Sequence, residues 1–260
     1  MRDKEIDDLM VKKIDKRRER EKDASDLITH DATIDLKTRK TLFFLLNKGV
    51  ITRFTGIISS GKEANVYAGI GKDGMEIAIK IYRINSQTSK WMMNYIMGDP
   101  RFSRFRKKST RNLITTWALK ELKNLKRAEE AGVPCPKPIS VRENVLVMQF
   151  LGEDGTPAKK LTEVELDKPL QHLNEILKHV QSLFWKAGLI HGDLSPFNML
   201  YHEGKVYFID IGQGVLKDHP YARKYFERDV DNVLSYFTEI LPGDFDRDAV
   251  SYTHLRAHET

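Results

Sequence analysis

One long stretch of helical periodicity in this chain carries a carboxylate in its apolar face. From Ile114 onward, apolar residues recur every three or four positions, and the residue that completes this face is Glu121. The apolar members of the face are Ile114, Trp117, Ala118, Leu122, Leu125 and Ala128. An unpaired charge buried in a protein core costs several kcal/mol. The fold must therefore supply a cation to Glu121.

Short alternating strands precede this helix. Residues 64–70 and 77–81 alternate between apolar and other side chains, and the turn sequence GKDG at 71–74 lies between them. A further short strand is predicted to end at Ile57. These segments predict a small antiparallel sheet.

Lys80 lies within the second alternating run. Because side chains alternate along a strand, Lys80 is expected on the same face as Ala78 and on the opposite face from Ile77, Ile79 and Ile81. That face combines a small side chain, which suits a flat base, with a cation, which suits a phosphate.

The rest of the sequence predicts a mobile loop, a domain boundary, two further strands and three helices. Residues 84–111 lack periodicity and are polar, so this segment is predicted to be a mobile loop, and GEDGT at 152–156 is predicted to be a domain boundary. The other predicted elements are a helix at 36–46 that stops at Asn47 and Gly49, strands at 138–141 and 145–150, a helix at 173–187 that stops at Gly188, and a last helix at 229–240.

Composition excludes several classes of protein. With 40% hydrophobic and 31% charged residues the chain is expected to be globular. The single cysteine, Cys135, excludes a disulfide framework, and there is neither an apolar run long enough for a membrane span nor a signal peptide. A cytoplasmic protein without a membrane partner is expected. Residues 250–260 resemble translated sequencing-adapter sequence and are interpreted as an artefact.

Positive charge is concentrated in one segment. Residues 83–127 contain twelve basic and two acidic residues, a net charge of +10, so the rest of the chain has −4. Such a field attracts polyanions such as RNA, and rings within the segment could stack on unpaired bases. The alternative is a solvated basic face. The rings are Trp91, Tyr95, Phe102 and Phe105.

Oxygen ligands occur in two loops of the second half. Asp193 and Asn198 are five residues apart, and Asp210 closes an apolar strand just before Gly212. Mg²⁺ prefers oxygen ligands and usually shares them with phosphates. These residues are therefore candidates for a site that binds Mg²⁺ and a nucleotide.

Together these residues resemble the protein-kinase-like fold. IAIK at 77–80 resembles the kinase V-A-I-K strand, Glu121 the helix acid that pairs with its lysine, HGDL with Asn198 the catalytic loop, and DIG at 210–212 the D-F-G motif. The finer resemblance is to RIO kinases of the type-one branch and archaeal type. It rests on SSGKEANVY at 59–67, KIYR at 80–83, HGDLSPFN at 191–198, FIDIGQ at 208–213 and ERDV at 227–230.

The resemblance implies a two-lobed α+β fold. Its parts would be an N-terminal helical extension at 1–49, an N-lobe at 50–151, a reduced C-lobe at 152–249 and the artefact tail at 250–260. It also implies an atypical serine/threonine kinase and ATPase that uses ATP with Mg²⁺, or alternatively Mn²⁺. The implied partner is the small ribosomal subunit precursor and its RNA.

The same resemblance implies a role for each site residue. Lys80 would orient the α- and β-phosphates and Glu121 would hold Lys80, while Asn198 and Asp210 would bind Mg²⁺. Asp193 would be the catalytic aspartate, which either orients the attacking hydroxyl or itself accepts the γ-phosphoryl group. The phosphates would be contacted by Ser59, Ser60, Gly61 and Lys62, and the adenine pocket would be lined by Met148 and Phe150.

Two supporting roles are also expected in the second half. His191 is interpreted as a packed imidazole that stabilises its loop, and Asp229 as the residue that holds the catalytic-loop backbone from the last helix. Little chain follows Gly212, and no A-P-E element occurs there. This favours self-phosphorylation, at Ser103, Ser109 or Thr110, or ATP hydrolysis over broad protein-kinase activity.

Three other interpretations account for parts of this sequence. GIISSGK at 56–62 has the spacing of a P-loop, but Glu63 follows where Ser or Thr should bind Mg²⁺, and the next segment alternates like a strand. The His-Gly-Asp sequence also resembles small-molecule kinases of the aminoglycoside and choline type. An RNA-binding scaffold with little catalysis is the third interpretation.

Overall fold

The computed structural model describes residues 34–87 and 89–241. The predicted N-terminal extension before residue 34 and the tail at 250–260 lie outside these residues. None of the helices within the described ranges is long and apolar enough to cross a membrane. The helices are α1 (Leu36–Asn47), α2 (Met92–Ile96), α3 (Thr110–Glu130), α4 (Pro169–Trp185) and α5 (Ala222–Ile240).

Most strands are short, and the longest three lie in the first half of the chain. The strands are β1 (Ile51–Ser60), β2 (Ala64–Gly71), β3 (Glu76–Tyr82), β4 (Pro138–Arg142), β5 (Val145–Gln149), β6 (Gly152–Glu153), β7 (Thr156–Pro157), β8 (Lys159–Lys160), β9 (Leu189–Ile190), β10 (Met199–His202), β11 (Lys205–Phe208) and β12 (Val215–Leu216).

The chain forms two compact units, each made of several segments. Unit 1 comprises Met1–Lys90, Lys107–Leu119 and Ile139–Phe150, and unit 2 comprises Trp91–Arg106, Lys120–Pro138 and Leu151–Thr260. The last division follows Phe150, next to the predicted boundary at 152–156. Two segments that the sequence predicts as part of the N-lobe, Trp91–Arg106 and Lys120–Pro138, belong to unit 2.

Unit 1 is built on a five-stranded sheet in the order β1-β2-β3-β5-β4. Strands β2 and β3 are antiparallel, with Ala68 opposite Ala78, as the alternation predicts. Ile77, Ile79 and Ile81 join a buried cluster that also contains Leu42 and Leu45 of helix α1. The opposite face carries a separate cluster around Ala68, Ala78 and Phe150.

Unit 2 positions two loops through a pair of short strands. Strand β9 precedes residues 191–198, and strand β12 follows residues 209–214. The two strands pair antiparallel, with Ile190 opposite Val215. This pairing fixes the two loops beside each other. The long helix α4 buries the predicted apolar face and ends before Gly188, whose φ of 58° is easily adopted only by glycine.

Several elements differ from the sequence-based expectations, and helix α4, for example, begins at Pro169, before the predicted start at Leu173. Strand β1 runs on to Ser60 instead of ending at Ile57, because its last residues pair with β2. Helix α5 begins at Ala222, seven residues before the predicted start. Its first two turns are mostly polar, so they give no apolar periodicity from which the sequence could predict them. The segment at 84–111 is not structureless: helix α2 buries Met92 and Ile96, a stripe too short to register as periodicity.

Candidate active site

In unit 1, Lys80 lies on the sheet face that carries the small apolar cluster. Its side chain is 6% exposed, and its ammonium nitrogen lies 5.0 Å from the ring centroid of Tyr82. Met148 lies opposite Ala78 on the neighbouring strand β5 and packs against the cluster that contains Phe150. Unit 1 thus brings together Lys80, Met148 and Phe150.

The predicted phosphate-contacting residues lie at the β1–β2 turn. Ser59, Ser60, Gly61 and Lys62 are all exposed. The Gly61 amide donates to the carbonyl oxygen of Ala64 at 3.0 Å, so this amide is already bonded within the turn. The phosphate contacts of these four residues stay a prediction.

A residue outside the predicted site holds this turn. Arg83 Nη2 donates to Ser60 Oγ at 3.0 Å and to Asn65 Oδ1 at 2.8 Å, and its backbone amide donates to Glu63 O at 2.8 Å. From the sequence, Arg83 stands out only as a basic residue and as part of the KIYR motif. Its position one residue after strand β3, beside the turn between β1 and β2, is what gives it this role.

In unit 2, Asp229 of helix α5 holds the backbone on both sides of Asp193. Its carboxylate oxygens accept from the Gly192 amide at 2.7 Å and from the Leu194 amide at 2.9 Å. Burial raises the pKa of Asp229 to about 7, while the two amides act in the opposite direction. The predicted role of Asp229 is confirmed.

The neighbouring residues complete this support. Arg228 donates from Nη2 to the carbonyl oxygen of Gly192, and His191 Nε2 lies 3.0 Å from Ile209 O. Since His191 is 1% exposed, its predicted role as a packed, loop-stabilising imidazole is confirmed. A side chain at Gly192 would place its Cβ 2.9 Å from Gln213 O, so only glycine fits there.

The Asp193 carboxylate is held by two amide side chains. Gln213 Nε2 donates to Oδ2 at 2.7 Å, and Asn198 Nδ2 lies 3.4 Å from the same oxygen. Burial raises the pKa of Asp193, and the nearby charge of Asp210 raises it further, whereas Arg228 and Asn198 lower it. Gln213 was not identified as a site residue from the sequence.

Asn198 and Asp210 bring side-chain oxygens close to Asp193. Asn198 Nδ2 donates to Asp193 O at 2.8 Å, so a cation bound here would meet the amide oxygen of Asn198 and not its nitrogen. Strand β11 is tied to this loop by the Ile209 amide, which donates to Asn198 O at 3.0 Å. Asp210 follows with an exposed side chain and a left-handed backbone, φ 59°.

This donor set fits Mg²⁺. Two carboxylates, Asp193 and Asp210, lie close enough to raise the pKa of Asp193, and a divalent cation would relieve that repulsion. The described residues contain no group of three or more His, Cys, Asp or Glu side chains that could hold a metal ion by themselves. Mg²⁺ commonly takes only one or two protein carboxylates and completes its shell with phosphates and water.

Glu121 is 1% exposed and belongs to unit 2, whereas Lys80 belongs to unit 1. The predicted pairing of these two residues stays a prediction.

Lys120, the residue before Glu121, is completely buried. Its ammonium donates to Gly212 O at 2.9 Å and also to Gly214 O. Burial lowers the pKa of Lys120 to about 7.

Comparison with known proteins identifies relatives along most of the chain. The RIO domain family model matches residues 65–250. The chain is 42% identical over 219 residues to the human serine/threonine-protein kinase RIO1, and this match covers 83% of this chain and 39% of the human protein. It is 40% identical to the RIO-type serine/threonine-protein kinase Rio1 of Haloferax volcanii, across 86% of this chain and 76% of that protein.

These relatives are all longer than the matched region. The rio1 kinase of Schizosaccharomyces pombe is 39% identical across 85% of this chain but only 46% of its own length. The chain thus spans less than half the length of the eukaryotic relatives named here.

Solved structures share the fold. The Rio2 kinase from Chaetomium thermophilum, in a complex described as ADP/Mg²⁺-phosphoaspartate, matches with a TM-score of 0.60 and 23% identity, over 81% of this chain and 64% of that one. A second structure of the same kinase matches with a TM-score of 0.53 and 22% identity, over 86% of this chain and 82% of that one. These matches confirm the predicted two-lobed, kinase-like α+β fold.

Proposed function

The chain belongs to the RIO family of serine/threonine-protein kinases, and on this basis we propose that it is an atypical kinase and ATPase. The reaction would transfer the γ-phosphoryl group of Mg-ATP to a protein hydroxyl, to the chain itself or to water. The bond between the γ-phosphorus and the ADP oxygen breaks, and a new phosphorus–oxygen bond forms to the acceptor.

The observation that carries the proposal is the arrangement around Asp193. One oxygen of its carboxylate is held by Gln213, and two oxygen ligands from Asn198 and Asp210 lie beside it. Phosphoryl transfer depends mainly on positioning and on neutralising charge. A carboxylate for the acceptor next to ligands for a cation meets both requirements.

Each residue has a distinct task in this proposal. Asn198 and Asp210 would hold Mg²⁺, with Mn²⁺ as an alternative ion, and the bound ion would neutralise phosphate charge. Lys80 would bind the α- and β-phosphates. The apolar face beside Lys80, with Met148 and Phe150, would accept the adenine.

Asp193 would act through the oxygen that the amides leave to the acceptor. Gln213 and Asn198 both approach Oδ2, so Oδ1 is assigned to the acceptor. It would take the proton from an attacking hydroxyl or, in the alternative, attack the γ-phosphorus itself. The phosphoaspartate in the complex of the Chaetomium thermophilum kinase supports attack by the Asp193 carboxylate as an alternative.

We further propose a cytoplasmic protein that contacts the small ribosomal subunit precursor through its RNA. Support for this comes from the basic segment at 83–127, in which only some of the cations are exposed and could contact RNA. Several of its cations are engaged within the protein, as in the Arg101–Asp99 and Arg111–Asp35 ion pairs and the buried Lys120. The exposed cations of the segment are Lys90, Arg104, Arg106, Lys107, Lys108 and Lys126.

One assay tests the proposed reaction. Purified protein is incubated with γ-labelled ATP and Mg²⁺, alone and with pre-ribosomal particles. The label is then separated into acid-labile acyl phosphate, stable phosphoserine or phosphothreonine, and free phosphate. Label in any of the three fractions that is lost in the Lys80→Ala variant supports phosphoryl transfer and identifies the acceptor. Absence of label from all three, with RNA binding intact, would favour the scaffold alternative.

A further inference from the structure

Asn124 of helix α3 uses its whole side-chain amide within unit 2. Its Nδ2 donates to Ile211 O at 2.8 Å and to Gly214 O at 3.0 Å, and its Oδ1 accepts from Arg101 Nη1 at 2.8 Å. The residue is 0% exposed. Rotating the amide by 180° would place its oxygen against two carbonyl oxygens and its nitrogen against a guanidinium. A single orientation is therefore fixed.

The two carbonyl acceptors belong to the turn that follows Asp210 and to Gly214, the residue that closes it. This turn spans Ile211–Gln213 and is closed by the Gly214 amide, which donates to Ile211 O at 3.1 Å. Lys120, one helical turn before Asn124, donates to Gly212 O and Gly214 O. Helix α3 thus supplies hydrogen bonds to three carbonyls of a four-residue stretch.

Gly214 also lies very close to Asn124 of helix α3. A Cβ added at Gly214 would lie 2.9 Å from Asn124 Nδ2 and 3.0 Å from Ile211 O. The turn can approach helix α3 this closely only because residue 214 has no side chain.

Both carboxylates of the candidate site depend on this turn. Asp210 is its N-terminal flank, and Gln213 is its last residue and donates to Asp193. A shift of the turn would move the Asp210 carboxylate and the Gln213 amide together. Because a metal site weakens when the residues that orient its ligands are changed, such a shift should be measurable as lost metal affinity.

We infer that Asn124, held in orientation by Arg101, is a positioning residue of the phosphoryl-transfer site that fixes the turn after Asp210 and thereby places Asp210 and Gln213. This inference rests on the proposed function, since it assumes that Asp210 binds Mg²⁺. It extends that function to residues on helix α3 and in the 84–111 segment that no motif of the sequence identified.

The orientation of Asn124 is supported in turn from the 84–111 segment. Arg101 forms an ion pair with Asp99, Nη2 to Oδ2 at 2.6 Å, and Asp99 is 2% exposed. Asp99 also accepts from the Arg101 backbone amide at 3.0 Å. The Arg101 guanidinium is thus anchored before it reaches Asn124.

The test compares Asn124→Asp with the wild type. Aspartate keeps the acceptor for Arg101 but puts an oxygen against the carbonyls of Ile211 and Gly214. Mn²⁺ is the probe, and the free ion is measured by electron paramagnetic resonance in the presence of ADP. We expect the affinity for Mn²⁺ to fall by about 10-fold to 100-fold. The Mg²⁺ concentration for half-maximal ATP turnover should rise in parallel, and excess Mg²⁺ should largely restore kcat.

Asn94→Asp is the matched control, because Asn94 is exposed on helix α2 of the same unit and undergoes the same chemical change. It should bind Mn²⁺ as the wild type does. A folded Asn124→Asp variant with wild-type Mn²⁺ affinity would overturn the inference. If that variant fails to fold, Asn124→Ser, which introduces no charge, is measured instead with the same expectation and the same overturning result.

A third variant separates this inference from the proposed function. Asp210→Asn removes a proposed metal ligand directly. If the wild type and Asp210→Asn bind Mn²⁺ with ADP equally, the metal assignment itself is wrong. If Asp210→Asn loses binding while Asn124→Asp keeps it, the metal assignment stands and only the positioning role of Asn124 is lost.

Discussion

Gln213 Nε2 donates a hydrogen bond of 2.7 Å to Asp193 Oδ2, which joins the residue after the D-I-G motif to the proposed catalytic aspartate. The bond favours the ionised form of Asp193, because the amide donates to the carboxylate. It therefore opposes the burial and the Asp210 charge that raise the pKa of Asp193.

Replacing Gln213 with alanine should slow phosphoryl transfer by about 10-fold to 100-fold, which corresponds to the loss of a hydrogen bond to a charged group. The pKa of Asp193 should rise further, so the acid limb of the pH–rate profile should move to higher pH. Steady-state kinetics between pH 5 and 9 would show both effects. A lower kcat with an unmoved acid limb would mean that Gln213 does not act through Asp193.

Replacing Asp193 with asparagine should reduce phosphoryl transfer by about 10² to 10⁴ if Asp193 is the general base. Asparagine is nearly the same size, so nucleotide binding should persist, as measured by calorimetry with ADP and Mg²⁺. If Asp193 is itself the acceptor, the acid-labile fraction of the label should disappear completely. Full activity in the variant would exclude both roles.

Lys120 should make folding stability depend on pH. Its pKa falls from 10.5 to about 7 on folding, so between these values the unfolded chain binds more protons than the folded one. The free energy of unfolding should therefore rise as pH increases from 7 to 10, and the contribution is lost as pH falls through that window. Its slope is up to about 1.4 kcal/mol per pH unit.

Urea unfolding of the wild type and of Lys120→Met, at several pH values, measures this contribution as the difference between the two proteins. Taking the difference removes the titration of groups that both share. The free energy of unfolding of Lys120→Met should also be lower than that of the wild type by about 1 to 3 kcal/mol, because Gly212 O loses a buried donor. A difference that does not change with pH would show that Lys120 keeps its proton throughout.

Charge reversal of Arg104, Arg106 and Lys107 should weaken RNA binding, since these cations are exposed. For single-stranded RNA, the dependence of log affinity on log salt should become shallower by up to about 2, from roughly 0.7 per lost phosphate contact. Fluorescence anisotropy at several salt concentrations measures both. Reversing Lys72, Lys186 and Lys205, which are exposed outside the segment, is the control. Equal effects in the two triple variants would argue against a specific basic surface.

Local patterns were sufficient to predict most of the framework. Alternation identified β2 and β3 and placed Lys80 opposite the isoleucine face, and helical spacing identified α1 and α4. These signals are local because a strand or helix buries one face of its own sequence. The predicted role of Asp229 did not rest on periodicity, and its hydrogen bonds to the Gly192 and Leu194 amides confirm it.

The supporting contacts could not be predicted in the same way. Asn124 reaches Ile211, Gln213 reaches Asp193 and Arg83 reaches Ser60, and each contact joins residues that are 20 or more positions apart. A lone asparagine or glutamine carries no periodic signal. The extension of β1 to Ser60 was missed for a related reason, because pairing with β2 outweighs the weak strand preference of the two serines at its end.

Asp210 occupies the left-handed backbone region, where a residue with a side chain is less stable than glycine by about 1 kcal/mol. A glycine at this position would relax the backbone and raise the melting temperature, yet it would delete a carboxylate on which the proposed chemistry depends. Selection for thermal robustness and selection for turnover therefore pull in opposite directions at this one position. Any programme to stabilise the protein should leave it unchanged.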